Sequence, residues 1–402
     1  MGKIIVIVLD GFGIGAMEDV PQVRPADIGA NTCKHIFEAV PGLTLPVLSK
    51  LGLANASGCS FPGLTVSDTA TYGQARLTHY WADTFFGHQE IMGTKPKVPF
   101  GEPINNNKIE PIVEALDQAG YRTRIATYDK GLRLIIVNEA CTVADNIECD
   151  PGQAFNVTAA LDDITFQEEL KIGALVRMAA KVPRVITFGG HDIHLNDLLS
   201  AVEIHGDYIG VNAPKSGVYT HDYHCVHMGY GVDERVQVPY LLGQHGVDVH
   251  LLGKVADVCA NHFGESESIV DTERVLTRTL ELVRNTGAGF ICANVQETDL
   301  AGHAEDPVRY ADRLTVADRL IGDIADSLEA EDIMVIMADH GNDPTIGHPH
   351  HTRERVPLLI KCGHSHAGYI GERDTLSDVG ATVADYFGAP KPENGSSFLN
   401  QL

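Results

Sequence analysis

Residues 3–13 read KIIVIVLDGFG and decide the fold class of this chain. The segment from Lys3 to Leu9 is short, apolar and rich in β-branched side chains, which is typical of a strand buried on both faces of a sheet. Asp10 and Gly11 follow directly, so a carboxylate is predicted at the carboxyl end of this strand. Ligands of open α/β sheets bind in the crevice outside the carboxyl ends of the strands. Asp10 is therefore a candidate site residue, with an ordinary aspartate turn as the alternative.

The same pattern of an apolar strand followed by polar residues recurs towards the other end of the chain. Three segments show it: Gly289–Val295, Asp332–Met337 and Val356–Lys361. Apolar residues at helical spacing predict helices over Val275–Val283 and Val308–Leu328. Because strands alternate with helices, we expect an α/β fold with a mostly parallel sheet and helices on its faces.

The middle of the chain predicts a smaller α+β module at about residues 97–229. Helix, strand, helix and strand are predicted in turn over Ile109–Ala119, Tyr121–Thr127, Phe166–Val182 and Arg184–Gly189. The stretch Tyr208–Tyr230 is rich in Gly, His and Tyr and is interpreted as a connector or a site-lining loop. Helix Val236–Gly246 and strand Val247–Gly253 then resume the first pattern. We therefore expect a core domain of residues 1–96 and 230–402 that carries residues 97–229 as an insertion.

Composition and charge restrict the class of partner. The 402 residues are 44% apolar and 21% charged, as in folded globular proteins. Thirty Lys and Arg stand against 54 Asp and Glu, so the formal net charge is -24. A field of this sign repels nucleic-acid backbones and anionic membrane surfaces, and we expect neither as a partner. An acidic protein that handles phosphate needs local positive charge, which bound divalent cations supply.

The lack of a recognisable targeting segment and the scattered cysteines predict a cytoplasmic location. No stretch approaches the roughly 18 apolar residues of a membrane helix, and residues 1–9 lack the features of a secretory signal. The eight cysteines contain no Cys-x-x-Cys pair, and a chain of this length does not need disulfides. We expect all of them to be reduced thiols: Cys33, Cys59, Cys141, Cys149, Cys225, Cys259, Cys292 and Cys362.

Carboxylates and imidazoles follow several of the predicted strands. Such a set of oxygen and nitrogen donors suits Mn²⁺, Zn²⁺ or a similar divalent ion, and six side chains suffice for two ions. The chain has 19 histidines, so chance juxtapositions are expected as well. The candidate ligands are Asp10, Asp299, His303, Asp339, His340 and His351.

These motifs also have plain structural interpretations. Asp299 and His303 lie four residues apart in DLAGH, a spacing that equally suits a turn with a surface histidine. Asp339 and His340 directly follow a strand and can reach one ion from a tight turn. The stretch GHPHHTRE, residues 347–354, suits either a metal-binding or a solvated loop. The pattern does not choose among its three histidines, His348, His350 and His351.

Thr84 is a candidate nucleophile. It lies in DTFFGHQE, residues 83–90, at a predicted helix start, where backbone amides and the helix dipole favour an anion. A threonine hydroxyl is a poor nucleophile unless a base or a metal activates it. The alternative is that Thr84 merely caps the helix.

Taken together, these motifs resemble those of the phosphopentomutases, a branch of the alkaline-phosphatase-like metalloenzyme superfamily that also contains cofactor-independent phosphoglycerate mutase. The matching segments lie towards both ends of the chain and keep the family's order. They are residues 10–15, 45–53, 83–84, 87–88, 90–93, 253–254, 339–344, 351–359, 380–388 and 395–400.

The resemblance implies an alkaline-phosphatase-like core, an α+β cap at residues 97–229 that opens and closes, and a site for two metal ions. Manganese is the metal implied, with zinc or magnesium as alternatives. One ion would be held by Asp10, Thr84, Asp339 and His340. The other would be held by Asp299, His303 and His351.

The resemblance also implies roles for two further side chains. Thr84 would carry a phosphate, donate it to the substrate to form a bisphosphate, and recover a phosphate from the other position. Lys254 matches a family lysine near the phosphate site, with a surface lysine as the alternative.

The sequence departs from the family in places that bear on the substrate. Ala82 and Gln89 replace a lysine and a tryptophan of the family motif, and the spacing from Asp299 to His303 is that of the phosphoglycerate mutases. The arginine-bearing cap segments of the family correspond to residues 202–207 and 218–223, which contain no arginine. Imidazoles lack the bidentate fork that guanidinium offers to phosphate. The cap histidines either line a pocket for a different anion or are solvated; they are His205, His221, His224 and His227.

The leading hypothesis is a metal-dependent phosphomutase that acts through phospho-Thr84 on a small phosphorylated sugar-like metabolite. One alternative is a phosphohydrolase on the same core, in which water takes the phosphoryl group. The other is a catalytically silent metal-binding protein.

Overall fold

The computed structural model describes residues 1–97, 101–148, 152–363 and 367–402. These residues form two compact units, unit 1 (Met1–Pro96 and Asp233–Leu402) and unit 2 (Lys97–Val232). Cys149 lies outside the described residues, and no disulfide joins the seven cysteines inside them. Within the described ranges, no helix combines the length and the apolar character that crossing a membrane requires.

The strands are numbered in chain order through both units. They are β1 (Lys3–Leu9), β2 (Thr71–Ala75), β3 (Thr123–Thr127), β4 (Arg133–Val137), β5 (Cys141–Asp145), β6 (Ala154–Ala160), β7 (Arg184–Gly190), β8 (Val202–His205), β9 (Tyr208–Val211), β10 (His224–Gly229), β11 (Asp248–Leu252), β12 (Glu265–Glu267), β13 (Gly289–Val295), β14 (Ile333–Met337), β15 (Val356–Cys362) and β16 (Gly368–Arg373).

The α-helices are numbered in the same way. They are α1 (Val20–Val23), α2 (Thr32–Ala39), α3 (Pro46–Lys50), α4 (Leu53–Ser57), α5 (Thr84–Ile91), α6 (Ile109–Gln118), α7 (Phe166–Ala180), α8 (Leu195–Ser200), α9 (Ala213–Ser216), α10 (Val238–Gln244), α11 (Lys254–Val258), α12 (Thr272–Asn285), α13 (Glu297–His303), α14 (Pro307–Asp326) and α15 (Ser377–Tyr386).

Unit 1 is built on an eight-stranded sheet in the order β12-β11-β13-β1-β14-β15-β2-β16. The central strand β1 is buried along its whole length and pairs in parallel with β13 and β14. Only β15 is antiparallel to its neighbours. The predicted mostly parallel sheet is therefore confirmed, and the predicted helices over 275–283 and 308–328 are confirmed as α12 and α14.

The strand register brings three strand ends to one edge of this sheet. Leu9 lies opposite Val295, and Val8 lies opposite Met337. The residues that follow β1, β13 and β14 therefore leave the sheet side by side. This edge is the crevice at which open α/β sheets bind ligands.

Unit 2 contains a six-stranded sheet in the order β10-β7-β6-β5-β4-β3 and the small hairpin β8-β9. Its predicted helices and strands are confirmed as α6, β3, α7 and β7. The interpretation of Tyr208–Tyr230 as a connector or loop is wrong for β9 and for β10. Strand β10 lies at the edge of the sheet, and most of its residues are only partly buried. Polar residues such as His224 and His227 are tolerated there, which hides the apolar pattern of a strand.

Glu169 of α7 leads to a prediction about the stability of the protein. It is fully buried, and among the described residues neither carboxylate oxygen has a hydrogen-bond partner of good geometry. Burial raises its pKa from 4.5 to about 9. The folded chain therefore holds a proton that the unfolded chain releases above pH 4.5, and the unfolding free energy falls as the pH rises from there to about 9.

We expect Glu169→Gln, which cannot ionise, to raise the unfolding free energy at pH 8 by about 1–3 kcal/mol. The gain should be much smaller at pH 5, because the carboxyl of Glu169 is then partly protonated in the unfolded chain as well, and its burial costs less free energy. Urea unfolding at the two pH values measures this difference, and Glu168→Gln, one residue away on the same helix, is the control. An equal gain at both pH values would contradict the prediction.

Candidate metal centre

The first cluster of candidate ligands consists of Asp10, Asp339 and His340, which we call group A. Asp10 follows β1, and Asp339 and His340 follow the parallel neighbour β14. All three side chains are fully buried. The His340 Nε2 atom lies 3.5 Å from Asp10 Oδ1 and 3.3 Å from Asp339 Oδ2. Two carboxylates and one imidazole thus converge on a volume suited to one divalent ion.

Thr84 lies against group A as the first residue of α5. Its Oγ1 donates to Asp339 Oδ2 at 2.6 Å and lies 3.2 Å from Asp10 Oδ1. The helix cap is Asp83, whose carboxylate accepts from the Phe86 amide, so the interpretation of Thr84 as the cap is wrong. A Cβ atom at Gly87 would lie 2.8 Å from the Asp339 carbonyl oxygen. Glycine at this position therefore allows α5 to approach the Asp339 backbone.

The second cluster consists of Asp299, His303 and His351, which we call group B. The His351 Nε2 atom lies 3.3 Å from Asp299 Oδ1, and the His303 Nε2 atom lies 3.4 Å from Asp299 Oδ2. DLAGH is not a turn, because Asp299 and His303 lie one helical turn apart on α13, but His303 is a surface histidine with 41% of its side chain exposed. A Cβ atom at Gly302 would lie 2.4 Å from the Asn342 side chain, so this glycine provides close packing.

The hydrogen bonds of the three histidines fix which ring nitrogen faces the ligand groups. The Nδ1 atoms of His303, His340 and His351 lie 2.6, 2.9 and 3.0 Å from the backbone oxygens of Pro349, Gly341 and Ala82. A carbonyl oxygen only accepts, so each Nδ1 carries the proton and each Nε2 presents a lone pair. This orientation by a backbone partner is the usual one for metal-bound histidine.

The unprotonated nitrogens lack a protein donor. The Nε2 atoms of His303 and His351 face each other at 3.0 Å, and the buried Nε2 of His340 has no hydrogen-bond partner among the described residues. Paired acceptors and an orphaned buried acceptor are unfavourable unless a proton or a metal ion binds to them. Both groups therefore fit a divalent metal ion.

Lys254 lies between the two groups. Its Nζ is 3.1 Å from Asp10 Oδ2 and 3.0 Å from Asp299 Oδ2, and 15% of its side chain is exposed. Burial by itself would lower the Lys254 pKa, but the two carboxylates outweigh it and raise the pKa. The interpretation of Lys254 as a surface lysine is therefore wrong.

The carboxylates compete for a limited positive charge. Burial, followed by the nearby Asp339 carboxylate, raises the pKa of Asp10 to about 7. Burial would also raise the pKa of Asp299, but Lys254 and His351 hold it well below its usual range. One lysine does not neutralise three buried carboxylates, so the site favours bound cations.

Only one histidine of the stretch 347–354 joins the centre. The His348 Nε2 atom lies 3.3 Å from Asp27 Oδ1, and His350 is exposed. Of the histidines in this stretch, only His351 belongs to group B. The surrounding fold therefore makes the choice that the sequence pattern left open.

Three of the four candidate histidines of unit 2 lie beside carboxylates. The Nε2 atoms of His205 and His224 are 3.4 and 3.5 Å from Glu203 and Asp222, and the Nδ1 atom of His221 is 3.8 Å from Asp192. His227 lies on β10. Because these carboxylates offset the charge of a protonated imidazole, the arrangement does not favour a pocket for an anion.

Two buried residues beside group A were not identified from the sequence. His88 contacts Asp339, and Asn294 contacts Asp10. His88 lies in a matching family segment, and Asn294 is a polar residue inside the otherwise apolar run GFICANV. A polar residue within a buried strand was the signal available for Asn294.

The chain is similar to several known proteins. The model of the Metalloenzyme superfamily matches residues 2–391. The phosphopentomutase of Herpetosiphon aurantiacus is 30% identical over 410 residues, covering 100% of this chain and 99% of that protein. The phosphopentomutase of Thermotoga maritima is 30% identical over 431 residues, with the same coverage of 100% and 99%. Among solved structures, Leishmania mexicana phosphoglycerate mutase superposes with a TM-score of 0.47 at 13% identity, covering 98% of this chain and 97% of that chain.

Proposed function

The chain belongs to the metalloenzyme superfamily and, within it, to the family of the phosphopentomutases, and we propose that it moves a phosphoryl group between two positions of a small phosphorylated sugar through phospho-Thr84. The observation that carries the proposal is the position of the Thr84 hydroxyl. This hydroxyl belongs to the first residue of α5, donates a hydrogen bond to Asp339 and lies next to Asp10. A nucleophile, its carboxylate partners and the positive end of a helix thus meet at one point.

The family match and the two Asp/His groups support divalent metal ions as cofactors. We propose that Asp10, Thr84, Asp339 and His340 hold one ion, that Asp299, His303 and His351 hold the other, and that both are Mn²⁺. When bound, paired ions neutralise the phosphoryl oxygens and stabilise the attacking and leaving oxygens of an in-line displacement.

The chain's own groups account for the rest of the reaction. In the first half, the bond from Thr84 Oγ1 to phosphorus breaks while a substrate hydroxyl oxygen bonds to phosphorus. The hydroxyl proton passes to Thr84 Oγ1, with Asp10 and Asp339 as the carboxylates within reach. In the second half, Thr84 Oγ1 attacks the phosphorus at the other position, and its proton goes to the departing substrate oxygen. No net proton, phosphate or water is consumed, so the reaction is an isomerisation.

Lys254 is proposed to hold the transferring phosphoryl group. Its ammonium lies between Asp10 and Asp299, so it borders both ligand groups. An ammonium is a compact positive charge that binds phosphate oxygens without requiring a fixed orientation.

We propose residues 97–229 as the cap that shields the bisphosphate from water. The segments 202–207 and 218–223 contain no arginine, and their histidines His205 and His221 lie beside carboxylates. Without a guanidinium fork, these segments offer no bidentate contact to the second phosphate group of the bisphosphate. The proposed substrate is a small phosphorylated sugar, for which α-ribose 1-phosphate is the first compound to test because the relatives are phosphopentomutases.

The test is a product assay quenched with EDTA. Manganese-loaded protein receives α-ribose 1-phosphate, and ribose 5-phosphate and inorganic phosphate are both measured, with Thr84→Ala as the control. We expect ribose 5-phosphate to form with little inorganic phosphate. Inorganic phosphate alone would indicate a hydrolase instead, and no product from any of a broad panel of phosphoesters would indicate a silent metal-binding protein.

A further inference from the structure

His88 and Asn294 form a buried pair behind group A. Both side chains are fully inaccessible to solvent, and neither belongs to group A or group B. Asn294 lies on β13, whose residues are all buried, and His88 lies on α5, one helical turn after Thr84. Burying an imidazole and an amide costs free energy unless their polar atoms are used.

The N–H donors of the pair point at group A, whereas Asn294 Oδ1 has no hydrogen-bond partner among the described residues. His88 Nδ1 lies 2.8 Å from the Thr84 carbonyl oxygen and 3.2 Å from Asp339 Oδ2, so Nδ1 carries the proton. His88 Nε2 then accepts from Asn294 Nδ2 at 3.0 Å. The same Asn294 amide donates to Asp10 Oδ2 at 3.1 Å. One continuous set of hydrogen bonds therefore joins the Thr84 backbone to both carboxylates of group A.

These bonds determine which carboxylate oxygens are left for the metal and the nucleophile. Asn294 and Lys254 both contact Asp10 Oδ2, so Asp10 Oδ1 faces Thr84 and His340. His88 contacts the same Asp339 oxygen that accepts from the Thr84 hydroxyl. The terminal torsion of a carboxylate is otherwise soft, and two adjacent carboxylates repel each other.

We propose that His88 and Asn294 are positioning residues that orient the Asp10 and Asp339 carboxylates, and through them the Thr84 hydroxyl, for metal binding and phosphoryl transfer. The inference rests on the proposed function for its effect on turnover, whereas its effect on metal binding can be measured without any substrate. No hydrogen bond or ion pair joins group B to either residue in the described part of the chain, so the affinity of group B for metal should not change.

The experiment titrates Mn²⁺ into the metal-stripped full chain and follows free Mn²⁺ by electron paramagnetic resonance. In His88→Leu and in Asn294→Leu, we expect one of two Mn²⁺ ions to bind about 10–100-fold more weakly, the usual effect of losing a residue that orients a ligand. The other ion should bind as in the wild type. In the isomerase assay, kcat should fall while KM stays within about twofold, because the substrate contacts are not altered.

A matched substitution separates positioning from packing. His88→Asn keeps an N–H donor near the position of Nδ1, so it should recover much of the affinity and turnover that His88→Leu loses. The control is His250→Asn on β11, outside the site, which should leave Mn²⁺ binding unchanged.

Equal weakening of both ions, or identical behaviour of His88→Asn and His88→Leu, would overturn the inference. If His88→Leu does not fold, Asn294→Leu and His88→Asn give the same measurements. If the wild type isomerises no sugar phosphate, the proposed function fails, but the Mn²⁺ titrations still decide whether His88 and Asn294 position group A.

Discussion

Replacing Thr84 by alanine should abolish isomerisation, lowering kcat by about 10⁴-fold or more, as expected when a covalent nucleophile is lost. The hydroxyl has no substitute among the described residues, because Thr84 Oγ1 is the hydroxyl oxygen within hydrogen-bond distance of both the Asp339 and the Asp10 carboxylates. The measurement is the initial rate of ribose 5-phosphate formation. Intact-mass spectrometry should in addition show a phosphorylated wild type and an unphosphorylated variant.

Thr84→Ser is the matched control for this prediction. Serine keeps the hydroxyl and loses only the methyl group, so the variant should remain phosphorylated and retain measurable turnover. Thr84→Ala should still bind metal, at a reduced level, because group B and the other group A ligands are intact. Full activity of Thr84→Ala would rule out the phosphothreonine mechanism.

Replacing Asp339 by asparagine should remove the ion of group A. Asp339 Oδ2 lies near His340, His88 and the Thr84 hydroxyl, so one neutralised carboxylate disturbs the ligand set and the nucleophile together. We expect the metal content to fall from two ions to one at equal free Mn²⁺, and kcat to fall by about 10³-fold or more, as expected for the loss of both an ion and an oriented nucleophile. Elemental analysis of the protein gives the metal content.

Asp299→Asn is the mirror experiment at group B. It should also leave one ion, while the contacts of Thr84 with Asp10 and Asp339 remain. The double variant should bind no metal ion. This result would show that each single variant loses the ion of a different group. If Asp339→Asn still binds two ions with the affinity of the wild type, the assignment of group A as an ion site is wrong.

The part of the fold closest to the candidate site could be predicted from the sequence. Strands β1, β13 and β14 are mostly apolar segments, so the hydrophobic effect favours their burial, and polar residues follow the end of each strand. Much of unit 2 could not be predicted in this way. Strand β10 has mixed polarity because it is a partly buried edge strand, and its pairing with β7 depends on residues far away in the chain.

The fold class and the chemical types of the residues in the candidate site follow from the sequence. It indicated carboxylates and imidazoles at strand ends, a threonine at a helix start, and an acidic chain in need of cations. These features depend on local periodicity and composition, which are properties of short segments.

Only the folded arrangement shows which side chains meet and which ring nitrogen of each histidine carries the proton. His351 rather than His348 joins group B because its Nδ1 contacts the Ala82 carbonyl, 269 positions away in the chain. Asn294 faces group A because the register of β1 and β13 sets it opposite Val8, two residues before Asp10. His88 faces group A because α5 packs closely against the Asp339 backbone at Gly87. The physical reason is that ligand geometry depends on hydrogen bonds between residues distant in sequence, and no local pattern encodes them.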